Sequence, residues 1–452
     1  LTKDNEANRF SARAARYLAV GAQAGGLAAR MAGGRLFGPR VGDGGEGEAL
    51  ALARTLGGLK GPLMKAAQFI ATIPEALPAD FAEALLTLQS QAPPMGAAFV
   101  KRRMVAELGP GWRDQFAAFD LHPAAAASLG QVHRAKTLTG ADVACKLQYP
   151  DMASAVEADL SQLDFALSLQ RRLDSAIDAR EAAQEVGERL REELDYQREA
   201  RNALLYKLML ADRPEVRVPS VHEKLSTGRL LTLDWLEGGN ILDLVDAPEA
   251  ERNAVASAIF TAWWAPFAEF GVIHGDPHLG NYTFFRDEGA AAGINLLDYG
   301  CIRVFPPEFV GGVVQLYRGL RAGDRDQIAH AYEIWGFRGL NRDLIEVLTL
   351  WARFILGPLL EDRVRTIADG GSAGAYGRRE AAEVHRQLRE KGPVRIPREF
   401  VFMDRAAIGL GGAFLHLGAG LNFHRLFEEK LENFDLGALA ARQRDILAQA
   451  GL

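Results

Sequence analysis

Apolar positions recur at three- and four-residue spacing from Glu48 to Leu108, through Leu50, Leu56, Leu59, Leu85, Leu86 and Leu88. The spacing predicts helices broken at Pro74, Pro78 and the Pro93-Pro94 pair. The period then changes to two. Leu129 to His133 and Val143 to Leu147 alternate on either side of a Thr139-Gly140 turn, which predicts a hairpin. Residues 151–211 return to a charged, helical pattern with Leu160, Leu163 and Leu167 at heptad-like positions, and two helices are expected there. Arg229 to Leu236 predicts a further strand, and Ile241 to Gly271 a helix. Two short strands follow at Tyr282 to Phe285 and Ile294 to Leu297, after which the chain is helical beyond Pro306 except for a Gly/Ser loop at 369–377. Five glycines and a proline between Gly38 and Gly47 predict a linker, with a domain boundary near residue 48.

Composition narrows the function classes. A chain of 452 residues has room for two or three lobes with a large core. Its net charge of −6 argues against a nucleic acid backbone as main partner. With 48% hydrophobic and 24% charged residues, neither a disordered chain nor a polytopic membrane protein fits. Cys145 and Cys301 form no metal-binding spacing, which suits a reducing, cytoplasmic setting. No apolar run reaches the ~18–20 residues of a membrane span. The greasy stretch from Ala254 to Ile273 is interrupted by Pro266 and Glu269 and reads as a buried helix. Near the start, Arg9, Arg13, Arg16 and Arg30 punctuate apolar residues, so an amphipathic segment touching a membrane surface through Leu27, Leu36 and Phe37 is expected.

The strongest chemical signal is His274-Gly275-Asp276-Pro277-His278-Leu279-Gly280-Asn281, followed 17 residues after Asn281 by Asp298-Tyr299-Gly300 at the end of an apolar strand. Phosphoryl transfer needs a carboxylate near the nucleophile and oxygen ligands that hold Mg2+ across the phosphates. Asp276, Asn281 and Asp298 supply those three groups. Upstream, Val143-Ala144-Cys145-Lys146 places Ala144 and Lys146 on one strand face, where a lysine can reach nucleotide phosphates. The order of loop, lysine, helical glutamate, hinge, Asp/Asn and Asp-Tyr-Gly is that of a protein-kinase-like chain. In that order Leu233 to Gly239 is the hinge, and the backbone of Asp234 and Leu236 pairs with adenine.

Three further segments carry a family resemblance. Ala124-Ala125-Ala126-Ala127-Ser128-Leu129-Gly130-Gln131-Val132 stands where ordinary kinases have a glycine-rich phosphate loop. Lys65-Ala66-Ala67-Gln68 lies in a helical stretch ahead of the lobes, and Glu193-Leu194-Asp195 precedes Glu199. Together these resemble the UbiB/AarF family of atypical kinases, with its alanine-rich loop, KxGQ and ExD motifs. Ala67 departs from the family glycine. The resemblance covers residues 50 to 440 and implies an α+β, protein-kinase-like two-lobed fold. Its parts are a flexible amphipathic segment at 1–47, a helical extension at 48–115 carrying KAAQ, an N-lobe at 116–238 with inserted helices at 151–211, and a helical C-lobe at 239–452 with the catalytic loop.

The resemblance also assigns roles. Lys146 binds phosphates, Glu199 is its ion-pair partner, and Asp276 is the base or water-orienting group. Asn281 and Asp298 hold the metal; Ala125, Ala126, Ala127, Ser128, Gln131, Val132 and Ala144 line the nucleotide. Lys65 and Gln68, with Glu193 and Asp195 as partners, cover the acceptor side. The shared helix face of Asp195 and Glu199, four apart, is expected from spacing alone. The implied activity is that of an atypical kinase or ATPase using ATP or ADP with Mg2+. The implied partners are isoprenoid quinone precursors and quinone-biosynthesis enzymes, with peripheral contact at an inner membrane surface. Two rivals remain on the residues themselves: a small-molecule phosphotransferase of the aminoglycoside or choline kinase type, and a nucleotide-gated scaffold without turnover.

Overall fold

The computed structural model describes residues 95–127, 129–157, 190–367 and 397–452, with a few single positions between them. The linker at 38–47, Lys65, Gln68, Ser128, residues 161–186 of the long helical stretch and the loop at 369–377 lie outside the described residues. The chain runs through helix α1 (Ala97–Leu108), strands β1 (Phe116–Phe119), β2 (Ala125–Ala127), β3 (Gly130–Thr137) and β4 (Asp142–Gln148), then helix α2 (Tyr196–Met209). Strands β5 (Val216–Arg217), β6 (Leu230–Asp234) and β7 (Gly239–Asn240) precede helix α3 (Glu249–Phe270). Next come β8 (Val272–His274), β9 (Tyr282–Asp287), β10 (Ala290–Leu296) and β11 (Ile302–Val304). Helices α4 (Pro307–Ala322), α5 (Arg325–Ile334), α6 (Arg342–Leu360), α7 (Arg398–Leu417), α8 (Phe423–Leu431) and α9 (Leu436–Ala450) complete the chain.

Two compact units divide these elements. The first runs to Arg198 and takes in Val221–Trp235; the second holds Glu199–Ser220 and Leu236–Leu452. In the first, β1, β3, β4 and β6 form an antiparallel sheet, with β2 also paired to β3. Strand alternation sorts its two faces. Ala135, Val143, Cys145, Leu147 and Leu230 point into a core with Val100 and Met104 of α1, Trp112 and Phe116. Burial pushes the Cys145 thiol up to about 12, so it stays a neutral core residue. Gly130 is required by close approach, because a Cβ there would sit 2.3 Å from the Leu147 carbonyl oxygen.

The second unit is built around α3, whose residues from Val255 to Ala268 are buried almost without a break. Trp264 packs edge-on to Phe427, and Phe260 packs with Phe414 and Phe423. The helix continues through Pro266 and ends at Gly271, whose φ of +67° gives the left-handed cap. Proline lacks a donor, but four residues from the helix end it forfeits a single hydrogen bond. Strands β9 and β10 are joined by Glu288 and Gly289, both at positive φ, which is the twist-matched two-residue turn of a hairpin. Strand β10 also pairs in parallel with β5, and β9 with β7. Asp324, Asn341, Asn422 and Asp435 cap the helices that follow them.

Among the described residues the β3–β4 hairpin, strands β6, β9 and β10 and the helices from α3 onward stand where they were expected, while the short strands β1, β5, β7 and β8 were not foreseen. Strand β11, which pairs with β8, lies in a stretch for which no strand was expected. The alanine segment at 125–127 is not a free loop: it pairs with β3, placing Ala125 opposite Val132, Ala126 opposite Gln131 and Ala127 opposite Gly130.

Candidate active site

In the first unit, the sheet face turned away from the α1 core carries part of the expected nucleotide set, while Ala126, paired opposite Gln131, turns with it to the other face. Val132 lies opposite Lys146, and Ala144 opposite Leu233. Directly opposed residues share a face, so Val132, Lys146, Ala144 and Ala125 stand on one side. The Lys146 ammonium lies 5.2 Å from the ring centre of Tyr196. Gln131 points the other way and is buried. Its Oε1 accepts from the Met95 amide at 2.7 Å, and its Nε2 lies 2.8 Å from His133 Nε2. At the end of β6, Asp234 is held by His222 Nε2 at 2.8 Å.

The segment from Glu193 to Asp195 departs from expectation. Glu193 and Leu194 form a turn, and α2 begins only at Tyr196. Gln148 Nε2 donates to the Leu194 carbonyl at 3.2 Å, withdrawing it from a helical ladder. Asp195 then accepts from the Arg198 amide at 2.9 Å, the geometry of a helix cap. Asp195 and Glu199 therefore do not share a helix face; Asp195 lies ahead of the helix, while Glu199 is buried in its first turn.

In the second unit, the loop after β8 brings the expected catalytic residues into one hydrogen-bonded structure. His274 is buried, and its Nε2 bonds the Asp298 backbone carbonyl at 2.9 Å while its Nδ1 faces the Asp276 amide at 3.2 Å. The carbonyl accepts and the amide donates, so the imidazole is the neutral Nε2–H form. Asn281 Nδ2 donates to the Asp276 carbonyl at 2.9 Å, so its amide oxygen is the atom that could hold a metal. His278 Nδ1 accepts from the Gly280 amide and caps the short turn that carries Asn281.

Asp298, Tyr299 and Gly300 are fixed as firmly. Asp298 Oδ1 accepts from the Gly300 amide at 2.8 Å, and the Tyr299 hydroxyl donates to the Leu296 carbonyl at 2.7 Å. Asn202 of α2 donates to the Tyr299 carbonyl at 2.9 Å. Beneath the loop, Tyr206, Tyr282 and Tyr299 are fully buried, and burial drives their hydroxyl pKa values upward. This floor is uncharged at any working pH. Asp276, Asn281 and Asp298 remain half-exposed above it.

Neither His274 nor Gly275 has a role assigned by the motif pattern, and Asn202 lies outside every motif. Gly275 stands where an arginine is usual, and a Cβ there would meet Cys301 Sγ at 2.8 Å. The signal for Asn202 was its position three residues after Glu199 on the same helix.

Asn281 and Asp298 offer hard oxygen donors, which fit Mg2+. Among the described residues no three His, Cys, Asp or Glu side chains group closely enough to hold a metal alone. A Mg2+ ion held by Asn281 and Asp298 would take the rest of its shell from water or from phosphate oxygens.

Comparison with known proteins bears on the family and the fold. Residues 87–332 match the ABC1 atypical kinase-like domain. The chain is similar to atypical kinase COQ8B, mitochondrial, of Rattus norvegicus: 34% identity over 223 residues, covering 49% of this chain and 42% of that protein. It is similar to atypical kinase COQ8, mitochondrial, of Saccharomyces cerevisiae at 30% identity over 253 residues, covering 56% and 50%. The chain thus spans half or less of the length of these relatives. Among solved structures, the Rv3197–erythromycin complex from Mycobacterium tuberculosis matches with a TM-score of 0.59 and 27% identity, over 85% of this chain and 95% of that one. The fold is α+β and kinase-like. With a family match over more than half of its residues, the chain belongs to the ABC1, or UbiB/AarF, family of atypical kinases.

Proposed function

We propose that this chain binds an adenine nucleotide with Mg2+ and transfers or hydrolyses its terminal phosphoryl group in support of isoprenoid quinone biosynthesis. The observation that carries the reading is the pinned loop: His274 bonds both the Asp276 amide and the Asp298 carbonyl. Preorganised groups of this kind supply most of phosphoryl-transfer catalysis. Asp276 orients or deprotonates the incoming hydroxyl or water. Asn281 and Asp298 hold Mg2+, which neutralises charge on the phosphates when bound. Lys146 and Glu199 keep the roles the family resemblance gives them, as do the backbone of Asp234 and Leu236 toward adenine and Lys65, Gln68 and Glu193 toward the acceptor. The link to quinone precursors, their enzymes and a membrane surface rests on that resemblance. Among the described residues no helix is long and apolar enough to cross a membrane.

The test is Mg-dependent ATP hydrolysis by the purified chain and its Asp276→Asn variant, with and without anionic liposomes carrying a quinone-precursor mimic. Turnover lost in a folded variant and raised by the lipid supports the reading. Equal turnover in both proteins overturns the role of Asp276. Phosphorylation of a soluble metabolite in place of a lipid response would favour the small-molecule kinase reading.

A further inference from the structure

In the second unit, helices α3, α4, α6 and α7 surround a cavity with about 830 Å3 of empty space, its open side included. Trp264, Trp335 and Trp351 wall the cavity, and Ala352 of α6 faces it with Ala407 and Gly411 of α7. Ile355 and Ala407 are partly exposed, so it reaches the surface.

Every described lining residue is apolar. The polar atoms near the wall are already engaged: Trp335 Nε1 donates to the Phe309 carbonyl at 3.0 Å, and the Leu359 carbonyl accepts from His424 at 2.8 Å. A stable bound water needs two to four polar partners, which the side chains of the described lining do not offer. Natural cores hold few voids larger than a water, because unfilled volume is destabilising. Ala407 and Gly411 are one helical turn apart. Small residues at that spacing commonly bring helices into contact, yet here they leave room.

We propose that this cavity binds the hydrocarbon tail of a lipid, prenyl or acyl, with the polar head left outside. The side chains of the described lining reward apolar surface and offer no charged or hydroxyl group. The site goes beyond the nucleotide reading and does not depend on it. Helix α7 has a second contact: a Cβ at Gly409 would lie 3.1 Å from Pro277 Cγ in the catalytic loop. An occupant of the cavity therefore touches the helix that backs Asp276.

The experiment titrates the delipidated chain with geranylgeraniol and, separately, with palmitate, without nucleotide. Tryptophan fluorescence is the readout, since three of the six tryptophans line the cavity. The expected result is saturable binding that weakens about tenfold or more in Gly411→Leu and Ala352→Leu, which fill the space. The melting temperature of these variants should be kept or raised. Binding of geranylgeraniol alone identifies a prenyl tail, and binding of both identifies a chain of either kind. Brominated palmitate, which quenches indoles on contact, gives a readout in the unaltered chain should the variants fail to fold. Neither probe binding, equal affinity in folded variants, or bound bromolipid without quenching overturns the proposal.

Discussion

His274 Nε2 donates to the backbone carbonyl of Asp298 at 2.9 Å, tying the strand before the catalytic loop to the start of Asp-Tyr-Gly. The same ring accepts from the Asp276 amide, so one neutral imidazole sets the spacing of the proposed base and metal ligand. Phenylalanine in its place would keep the edge contact with Tyr206 and remove both hydrogen bonds. Each buried group left unpaired costs ~1–3 kcal/mol. His274→Phe is expected to melt several degrees lower and to lose about tenfold or more in kcat. A folded variant with undiminished kcat would show that the loop holds its shape without the bridge.

Asn202 extends the same logic to helix α2. Its amide donates to the Tyr299 carbonyl at 2.9 Å, and it lies one turn beyond Glu199. The contact fixes the part of α2 that carries Glu199 against Asp-Tyr-Gly. Asn202→Leu keeps the volume and deletes the donor, at a cost of ~1–3 kcal/mol for the buried carbonyl. The expected outcome is a lower kcat together with a lower melting temperature. Asn202→Asp should be worse in both, since a carboxylate would face the carbonyl. Steady-state kinetics and thermal melts on the three proteins check this, and an Asp variant as active as the parent would contradict it.

How far the chain could be read before its structure depends on the range of each interaction. The β3–β4 hairpin and the Asp276, Asn281 and Asp298 set were legible, because alternation, turn residues and motif spacing are local. Helix α2 was misread at its start, since Glu193 to Asp195 are ordinary helix residues in sequence. The carbonyl of Leu194 is diverted by Gln148, 46 residues away. Strand β11 was invisible for the same reason: three residues carry little pattern, and pairing with β8 defines them. Asn202 and His274 act on backbone atoms far along the chain, and such partners leave no periodic trace.

Gly275 allows the loop to lie against Cys301. Its amide donates to the Cys301 carbonyl at 2.7 Å, and an added Cβ would sit 2.8 Å from the sulfur and 3.2 Å from that carbonyl oxygen. Gly275→Ala should therefore destabilise by ~1–3 kcal/mol through overpacking. Cys301→Ala removes the sulfur and should return about half of that loss in the double variant, leaving the backbone contact. Chemical denaturation of the four proteins in the cycle measures the coupling. Strict additivity would mean that the sulfur is not what Gly275 makes room for.

His133 links pH to the stability of the first unit. Burial lowers its pKa below the ordinary value, and the Asp120 carbonyl opposes that only in part. In its neutral form Nδ1–H donates to Asp120 at 2.9 Å, and Nε2 accepts from Gln131 at 2.8 Å. Gln131 in turn holds Met95, accepting its amide at 2.7 Å. A proton on Nε2 would set donor against donor, and turning the Gln131 amide to relieve it would release Met95. The unfolded chain takes up this proton near pH ~6.5 and the folded chain at lower pH. As pH falls through that window the unfolded state binds more protons, so stability declines and then levels off below the folded pKa. The melting temperature should thus drop as pH falls through the unfolded value of ~6.5. In His133→Gln the midpoint should start lower, for want of the ring, but change less over the same range. An identical pH slope in both proteins would assign the acid sensitivity to other groups.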